Sequence, residues 1–243
     1  MRKYMEIARN ISEKIFYKDF KKQLPSENEL MAQYQVSRNT IRNAIAILAN
    51  HGIVKRVQGS GYFINQQLIN NNELMLMASK DGIHPTRPQS YEDKNTILKK
   101  LKTKILSFKT LKANELTAEA LGCELGADLY YIERLRYFND ELFCLEKTYY
   151  LKKVVPYLDE KICQGSIFEF IQKQFNIEVN DADEFIKMTY TDKKDSEKLN
   201  IPAKTPNIQI TEINYLRNNI AFNYSVINYF NSDISFYNHV TCL

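Results

Sequence analysis

Between residues 4 and 17 the apolar positions Ile7, Ala8, Ile11 and Ile15 recur at helical spacing, with Glu6, Arg9, Asn10, Glu13 and Lys14 on the other side, which predicts an amphipathic helix. After Leu24-Pro25, the run Ser26-Glu27-Asn28-Glu29 has the form of a capping box. The Ser26 hydroxyl accepts from the Glu29 amide and the Glu29 carboxylate reaches back, opening a short helix that runs to about Tyr34. Gln35-Val36 turns the chain, and Ser37 caps a third helix with the inward stripe Ile41, Ala44, Ile45 and Leu48. Arg38, Asn39, Arg42 and Asn43 fall off that stripe. His51-Gly52 ends the helix, and Ile53 to Val57 and Tyr62 to Ile64 read as two short strands joined by Gln58-Gly59-Ser60-Gly61.

The stretch from Asn65 to Asn72 is polar and turn-rich, so the pattern places a domain boundary there. Residues 1–66 form the first domain, 67–92 a linker and 93–243 a second domain, which suits a 243-residue chain at roughly 100 to 200 residues per domain. The second part alternates strand-like runs (105–111, 129–138, 142–151, 184–191, 207–216, 220–230) with helical stretches near 115–121, 166–175 and 193–199. An offset of 78 aligns Leu121 with Leu199, Ile132 with Ile210, Tyr137 with Tyr215 and Leu142 with Ile220. This reads as an internal repeat, two halves of one sheet with a pseudo-symmetric cleft between them; chance likeness of two hairpins is the competing reading.

Composition narrows the classes. With 44% hydrophobic and 26% charged residues the chain can bury a core. No apolar run of about 18 residues spans a bilayer and no signal-peptide core follows Met1, so a cytoplasmic protein without membrane association is expected. Four cysteines (Cys123, Cys144, Cys163, Cys242) without close spacing and three histidines (His51, His84, His239) argue against structural zinc and a disulfide framework, and no cofactor is expected. The net charge of +4 is uneven: residues 1–66 hold 11 Lys/Arg against 5 Asp/Glu, and the remainder 22 against 24. A basic front on a slightly acidic body suits a polyanionic partner.

The segments Leu24-Pro25-Ser26-Glu27-Asn28-Glu29-Leu30, Val36-Ser37-Arg38-Asn39-Thr40-Ile41-Arg42, Gly52-Ile53 and Gly59-Ser60-Gly61-Tyr62-Phe63-Ile64 resemble the winged helix-turn-helix of the GntR family of bacterial transcription regulators. A helix fits the major groove and presents its first residues to base edges. Those residues here are Ser37, Arg38, Asn39, Thr40 and Arg42. Arginine bridges guanine O6 and N7, Asn39 pairs with adenine, and Ser37 or Thr40 holds phosphate at the positive end of the helix. The resemblance implies operator contacts by Arg38, Asn39, Thr40 and Arg42, while Gly59, with Lys55, Arg56 and Gln58 beside it, forms a second grip through the wing. Many relatives carry a DNA-contacting arginine where this chain has Asn28. The plain alternative is a surface helix with solvated arginines.

Beyond about Asp93, the runs Lys104 to Phe108, Leu129 to Arg136, Glu146 to Tyr150 and Gly165 to Phe168 are similar to the UTRA effector domain of the HutC branch. The fold class implied is α+β: a winged helix-turn-helix followed by a mixed α/β, chorismate-lyase-like domain with an antiparallel sheet. A three-residue hairpin loop, Asn139-Asp140-Glu141, sets Phe138 opposite Leu142, Arg136 opposite Cys144 and Arg134 opposite Glu146; a two-residue loop instead pairs Glu133 with Glu146, and because opposed like charges are unfavourable the first register is preferred. Arg134, Arg136 and Glu146 then share a face lining a cleft, and Leu135, Tyr137, Phe143, Leu145 and Tyr149 pack on the helices. Arg134 and Arg136 offer forked donors to phosphate or carboxylate, Glu146 accepts from hydroxyls, and Ser166 adds donors at a helix start. By resemblance Arg134, Glu146, Ser166, Phe168, Glu212 and Tyr224 face the effector, Phe168 reading rather as core, and Ser90 with Tyr91 resembles a phosphate-closing loop. Asn231-Ser232-Asp233 stands where relatives often have Arg-Gly-Asp, which removes one anion anchor. The alternative is an Arg134 to Glu146 salt bridge on an open face without a ligand.

The expectation is a homodimeric transcription regulator, a repressor, that binds a palindrome-like operator in double-stranded DNA and leaves it when a small polar or anionic metabolite, such as a sugar phosphate, occupies the second domain. The rivals are a lyase-like enzyme, for which no nucleophile and base stand out, and an effector-independent DNA binder.

Overall fold

The computed structural model describes residues 3–16, 19–69, 74–79, 82–86, 101–138, 140–177, 179–230 and 234–236. Residues 3–69 belong to one compact unit and residues 101–230 to another.

The first unit is three helices and a hairpin: α1 (Lys3–Phe16), α2 (Glu27–Tyr34), α3 (Arg38–Asn50), then β1 (Val54–Val57) antiparallel to β2 (Gly61–Ile64), and a short α4 (Gln66–Ile69). The helix stripes meet in one core of Ile7, Ile11, Ile15, Leu30, Ile41, Ala44, Ile45 and Leu48, closed by Val54 and Ile64. Ser26 accepts from the Glu29 amide and Glu29 accepts from the Ser26 amide at 2.7 Å, so the expected capping box forms. Ser37 caps α3 by accepting from the Thr40 amide. Gln35, at φ 52, makes the left-handed turn between α2 and α3.

Strands β3 (Leu74–Ser79) and β4 (Gly82–Thr86) lie within the stretch read as a linker, and β11 (Ile234–Phe236) runs parallel to β3. Pairing of Leu74 to Leu76 with a strand about 160 residues later is a long-range event that local patterning does not register.

The second unit is a six-stranded antiparallel sheet in the order β5-β6-β7-β10-β9-β8, from β5 (Leu101–Lys112), β6 (Asp128–Phe138), β7 (Glu141–Leu151), β8 (Asp181–Tyr190), β9 (Pro206–Tyr215) and β10 (Ala221–Tyr229). Helices α5 (Glu115–Leu121), α6 (Glu160–Cys163), α7 (Ile167–Phe175) and α8 (Lys193–Leu199) complete it. The order is a palindrome of two β-α-β-β halves that meet at β7 and β10.

The offset of 78 extends to the ends of the helices. It carries Glu115–Leu121 onto Lys193–Leu199, the N-cap Asn114 onto Asp192, and the left-handed C-cap Gly122 (φ 56) onto Asn200 (φ 54). It also carries the β5–β6 pair Leu111 and Leu129 onto the β8–β9 pair Thr189 and Asn207. Chance likeness of two hairpins does not reproduce both caps, so the structure favours a true repeat. The halves differ in their connections: the first leads into α6 and α7, which cover one face of the sheet through Cys163, Ile167 and Ile171 against Tyr130, Ile132, Tyr150 and Phe222. On the opposite face Ala118 and Leu121 of α5 meet Leu129, Leu151 and Tyr224.

Candidate DNA interface and effector face

The first five residues of α3 hold Arg38, Asn39 and Arg42 exposed, with the Ser37 and Thr40 hydroxyls 2.9 Å apart. Both arginines are held from α2. Arg42 Nε donates to the two carboxylate oxygens of Glu27 at 3.0 and 3.1 Å, and Arg38 donates through Nη2 to Asn28 Oδ1 at 2.8 Å, with its Nε 3.8 Å from Glu27. Tyr62, on the second wing strand, donates its hydroxyl to Glu27 at 3.1 Å. One carboxylate thus ties α2, α3 and the wing together. The Arg42 hydrogen bond is the main reason the Glu27 carboxyl lies below its ordinary range, and the same bond raises Arg42.

Sequence patterning missed this arrangement. Glu27 read as the first residue of a capped helix, and its partners stand 11, 15 and 35 positions away, separations to which no helical or strand period applies. The available signal was an acidic residue facing a segment rich in arginine.

The wing pairs Val54 with Ile64, Lys55 with Phe63 and Arg56 with Tyr62, which leaves Lys55, Arg56, Gln58 and Gly59 exposed at and beside its tip. Gly59 and Gly61 have φ 75 and 102, a backbone that a residue with a Cβ resists. The wing is braced by the strand-like stretch before α2: the Leu24 amide donates to Tyr62, the Ile64 amide to Lys22, and the Gln23 amide group to the Ser60 carbonyl at 2.5 Å. All nine residues expected to meet DNA thus lie at the N-terminal end of α3 or on the wing.

In the second unit Arg134 does face Glu146, and Arg136 does face Cys144. The tip of the hairpin differs from expectation. Phe138 pairs with Glu141 and Tyr137 with Leu142, and an irregularity between Arg136 and Tyr137 restores the predicted register farther in. A tighter turn, with Asp140 at φ 66, is thus compensated by a bulge, which a count of residues between strands does not reveal.

The face of the hairpin that carries charge is covered. Arg134 is 5% exposed and Glu146 7%. Arg134 Nη2 donates to Glu146 at 2.6 Å, and Nη1 donates to the carbonyls of Cys163 and Gly165 at 2.9 and 3.2 Å. The expectation that helices pack only on the apolar face is therefore corrected: α6 and α7 lie over the Arg134 face, and α5 over the other. Alternation assigns side chains to faces but does not say which element covers each. Arg134 directs these donors to the turn that leads to Ser166, the N-cap of α7, and so ties the start of that helix to the sheet. Arg134 Nε and Arg136 Nε are buried with no hydrogen-bond partner.

Glu212 shares this face through the row Ile132, Thr148, Ser225, Glu212 and Glu184. A polar network runs beside it: Asn214 donates to Glu212 at 2.5 Å and to Asn223 at 2.9 Å, Asn223 donates to Thr148 at 2.7 Å, and Thr148 and Ser225 stand 2.7 Å apart. Burial pushes the Glu212 carboxyl up to about 7. Tyr224 does not join this group. It stacks on Tyr149 at 5.8 Å in the cluster on the opposite face. Phe168 packs edge-on against Tyr150 and Phe222, as core. Ser90 and Tyr91, with residues 231–233, lie outside the described residues. The opposite face also carries an ion cluster that the sequence analysis missed, Lys147 to Asp195 and Lys198 to Glu133, each at 2.5 Å, binding α8 to the middle of the sheet.

No described helix is long and apolar enough to cross a membrane, and no described residues group as a metal site.

Comparison with known proteins agrees in both units. Residues 3–64 match the family described as bacterial regulatory proteins, gntR family, and residues 98–234 match the UTRA domain. The uncharacterized HTH-type transcriptional regulator YydK of Bacillus subtilis is 30% identical over 94% of this chain and 93% of its own length. The crystal structure of that possible transcriptional regulator covers 99% of this chain and 100% of its own at a TM-score of 0.76 and 28% identity. HTH-type transcriptional regulator TreR of B. subtilis is 28% identical over 92% and 90% of the two chains, and the mannosyl-D-glycerate transport/metabolism system repressor MngR of Escherichia coli 24% over 95% and 92%.

Proposed function

Because the chain belongs to the gntR family of bacterial regulatory proteins, in its branch with a UTRA domain, and is therefore a DNA-binding regulator and not an enzyme, we propose that it acts in the cytoplasm as a homodimeric repressor released by a small metabolite. Residues 1–66 read the operator, 67–92 link, and 93–243 bind the effector and join the two copies. Arg38 and Arg42 read bases in the major groove, with Ser37, Asn39 and Thr40 beside them. Lys55, Arg56, Gln58 and Gly59 hold the adjacent backbone or minor groove. The observation that carries this reading is the exposed Arg38 and Arg42 pair, held by Glu27 and Asn28 at the start of a capped helix. Guanidinium groups oriented before binding lose less freedom on docking. Two copies on a palindrome-like operator roughly double the specific free energy over one half-site.

The effector is a polar or anionic metabolite, a sugar derivative or sugar phosphate, taken up on the face of Arg136, Ser166, Glu146 and Glu212 and braced by Arg134. Two observations support the class: the buried, unpartnered Nε atoms of Arg134 and Arg136, and a relative named for mannosyl-D-glycerate. Release requires a coupling of only about 1 to 3 kcal/mol, a roughly 5- to 150-fold change in operator affinity.

The test is selection of bound duplexes from a random pool by the full chain, then titration of the selected sequence. Arg38→Ala and Arg42→Ala are each expected to weaken it by about 1 to 3 kcal/mol with relaxed base preference. Full retention of affinity in both variants overturns the assignment of the recognition helix. A panel of sugar phosphates and sugar acids, read by thermal shift and operator release, tests the effector class.

A further inference from the structure

The two edges of the six-stranded sheet are built differently. β5 carries Lys102, Lys104, Lys109 and Lys112, and its pairing with β6 is broken by a bulge between Ile105 and Ser107. Lysines and bulges are devices that keep an edge strand from pairing with another chain. β8 pairs with β9 in unbroken register over ten residues, and its sequence Asp-Ala-Asp-Glu-Phe-Ile-Lys-Met-Thr-Tyr has a single lysine. Phe185, Ile186, Met188 and Tyr190 are 52 to 74% exposed. A long, regular, apolar edge is the kind that another strand completes.

We infer that β8 pairs antiparallel with β8 of a second copy of this chain about a dyad at Phe185, joining the two sheets into one. This rests on the homodimer proposed above and names its seam. In an antiparallel ladder a residue whose N–H and C=O point to the free edge pairs with another of the same kind, and these alternate along the strand. A two-fold pairing of β8 with itself therefore centres on a residue. Centring on Glu184 or on Lys187 opposes like charges at the dyad. Centring on Ile186 sets Lys187 against Phe185 and Glu184 against Met188. Centring on Phe185 stacks the two Phe185 rings and sets Asp183 opposite Lys187 twice, once on each side of the dyad. The Glu184 register pairs Asp181 with Lys187 but sets Glu184 against itself, so centring on Phe185 is the one of these four that opposes unlike charges without opposing like ones, and it is self-complementary as an isologous contact requires. Asp183, Phe185 and Lys187 share one face, opposite Ile213, Thr211 and Gln209 of β9.

The experiment is sedimentation of the full chain, alone and with operator duplex. Asp183→Lys and Lys187→Asp each create two like-charge pairs across the seam, and each is expected to raise the dimer dissociation constant about tenfold or more. The double variant Asp183→Lys/Lys187→Asp restores the pairs in reverse and recovers the dimer, which a folding defect does not. A wild-type dimer whose association neither single variant changes overturns the β8 seam and leaves the homodimer standing. Weakening by both without recovery in the double variant overturns this register. A chain that stays monomeric both free and on DNA overturns the homodimer itself, and the seam with it.

Discussion

Arg42 Nε lies 3.0 and 3.1 Å from the two oxygens of Glu27, so the residue expected to read the operator is already committed to a carboxylate before DNA arrives. That carboxylate also accepts from Tyr62 of the wing, and its side chain is 20% exposed. An acidic group beside a phosphate-binding surface repels DNA in general, so its value lies in orientation.

Glu27→Gln should separate these effects. Removing the charge is expected to tighten binding to random duplex and to weaken binding to the operator, so that the ratio of the two falls by about tenfold. Competition titrations with both duplexes at one salt concentration measure it. An unchanged ratio would mean that Arg38 and Arg42 do not depend on this contact.

Gly61→Ala tests the wing. At φ 102 a Cβ is strained, and it would stand 2.9 Å from the Gln23 side-chain nitrogen that braces Ser60. The first unit is expected to lose about 1 to 3 kcal/mol in chemical denaturation.

Breaking the buried Arg134 pair from one side strands a charge. Glu146→Leu is expected to destabilise the second unit by about 3 to 5 kcal/mol, whereas Arg134→Met/Glu146→Leu regains a good part of that loss. Thermal unfolding of the three proteins tests it, and equal loss in the single and double variants would remove the pair's claim to brace Ser166.

Glu212 gives a pH dependence whose sign follows from its elevated value of about 7 against an ordinary 4.5. Between those limits the folded chain holds a proton that the unfolded chain has released. Its contribution is full below about pH 4.5 and is lost as pH rises to about 7. Glu212→Gln keeps an acceptor for Asn214 without a titrating group. It should therefore be more stable than the parent at pH 8, by an upper bound of about 3 kcal/mol at 1.36 kcal/mol per pKa unit, and nearly equal at pH 4. Equal stability at both values would show that Glu212 is not held neutral by burial.

Much of the DNA-binding unit was legible because its instructions are local. Ser26 and Glu29 lie three positions apart, Ser37 caps the helix it precedes, and Ile41, Ala44, Ile45 and Leu48 mark its inner side by period alone. The repeat was legible because an offset of 78 survives in a few apolar pairs. What escaped depends on contacts between distant segments. Glu27 meets residues of two other elements, Arg134 meets carbonyls 29 and 31 residues away, and the bulge beside Arg136 alters a turn whose length looked sufficient. Tyr224 was placed with the charged residues by likeness to relatives, but Ser225 faces Thr148 and Glu212, so alternation along β10 sends its neighbour to the other side.

The palindromic strand order bears on how this unit assembles. Within each half, successive strands are joined by short connections or a single helix, so their hairpins can close early and at small entropic cost. The join between β7 and β10 brings together Thr148 and Ser225, 77 positions apart. That join closes the widest separation along the chain between neighbouring strands of this sheet, so it carries the largest loop-closure cost in its assembly, and without it β7 and β10 would each present an unpaired edge.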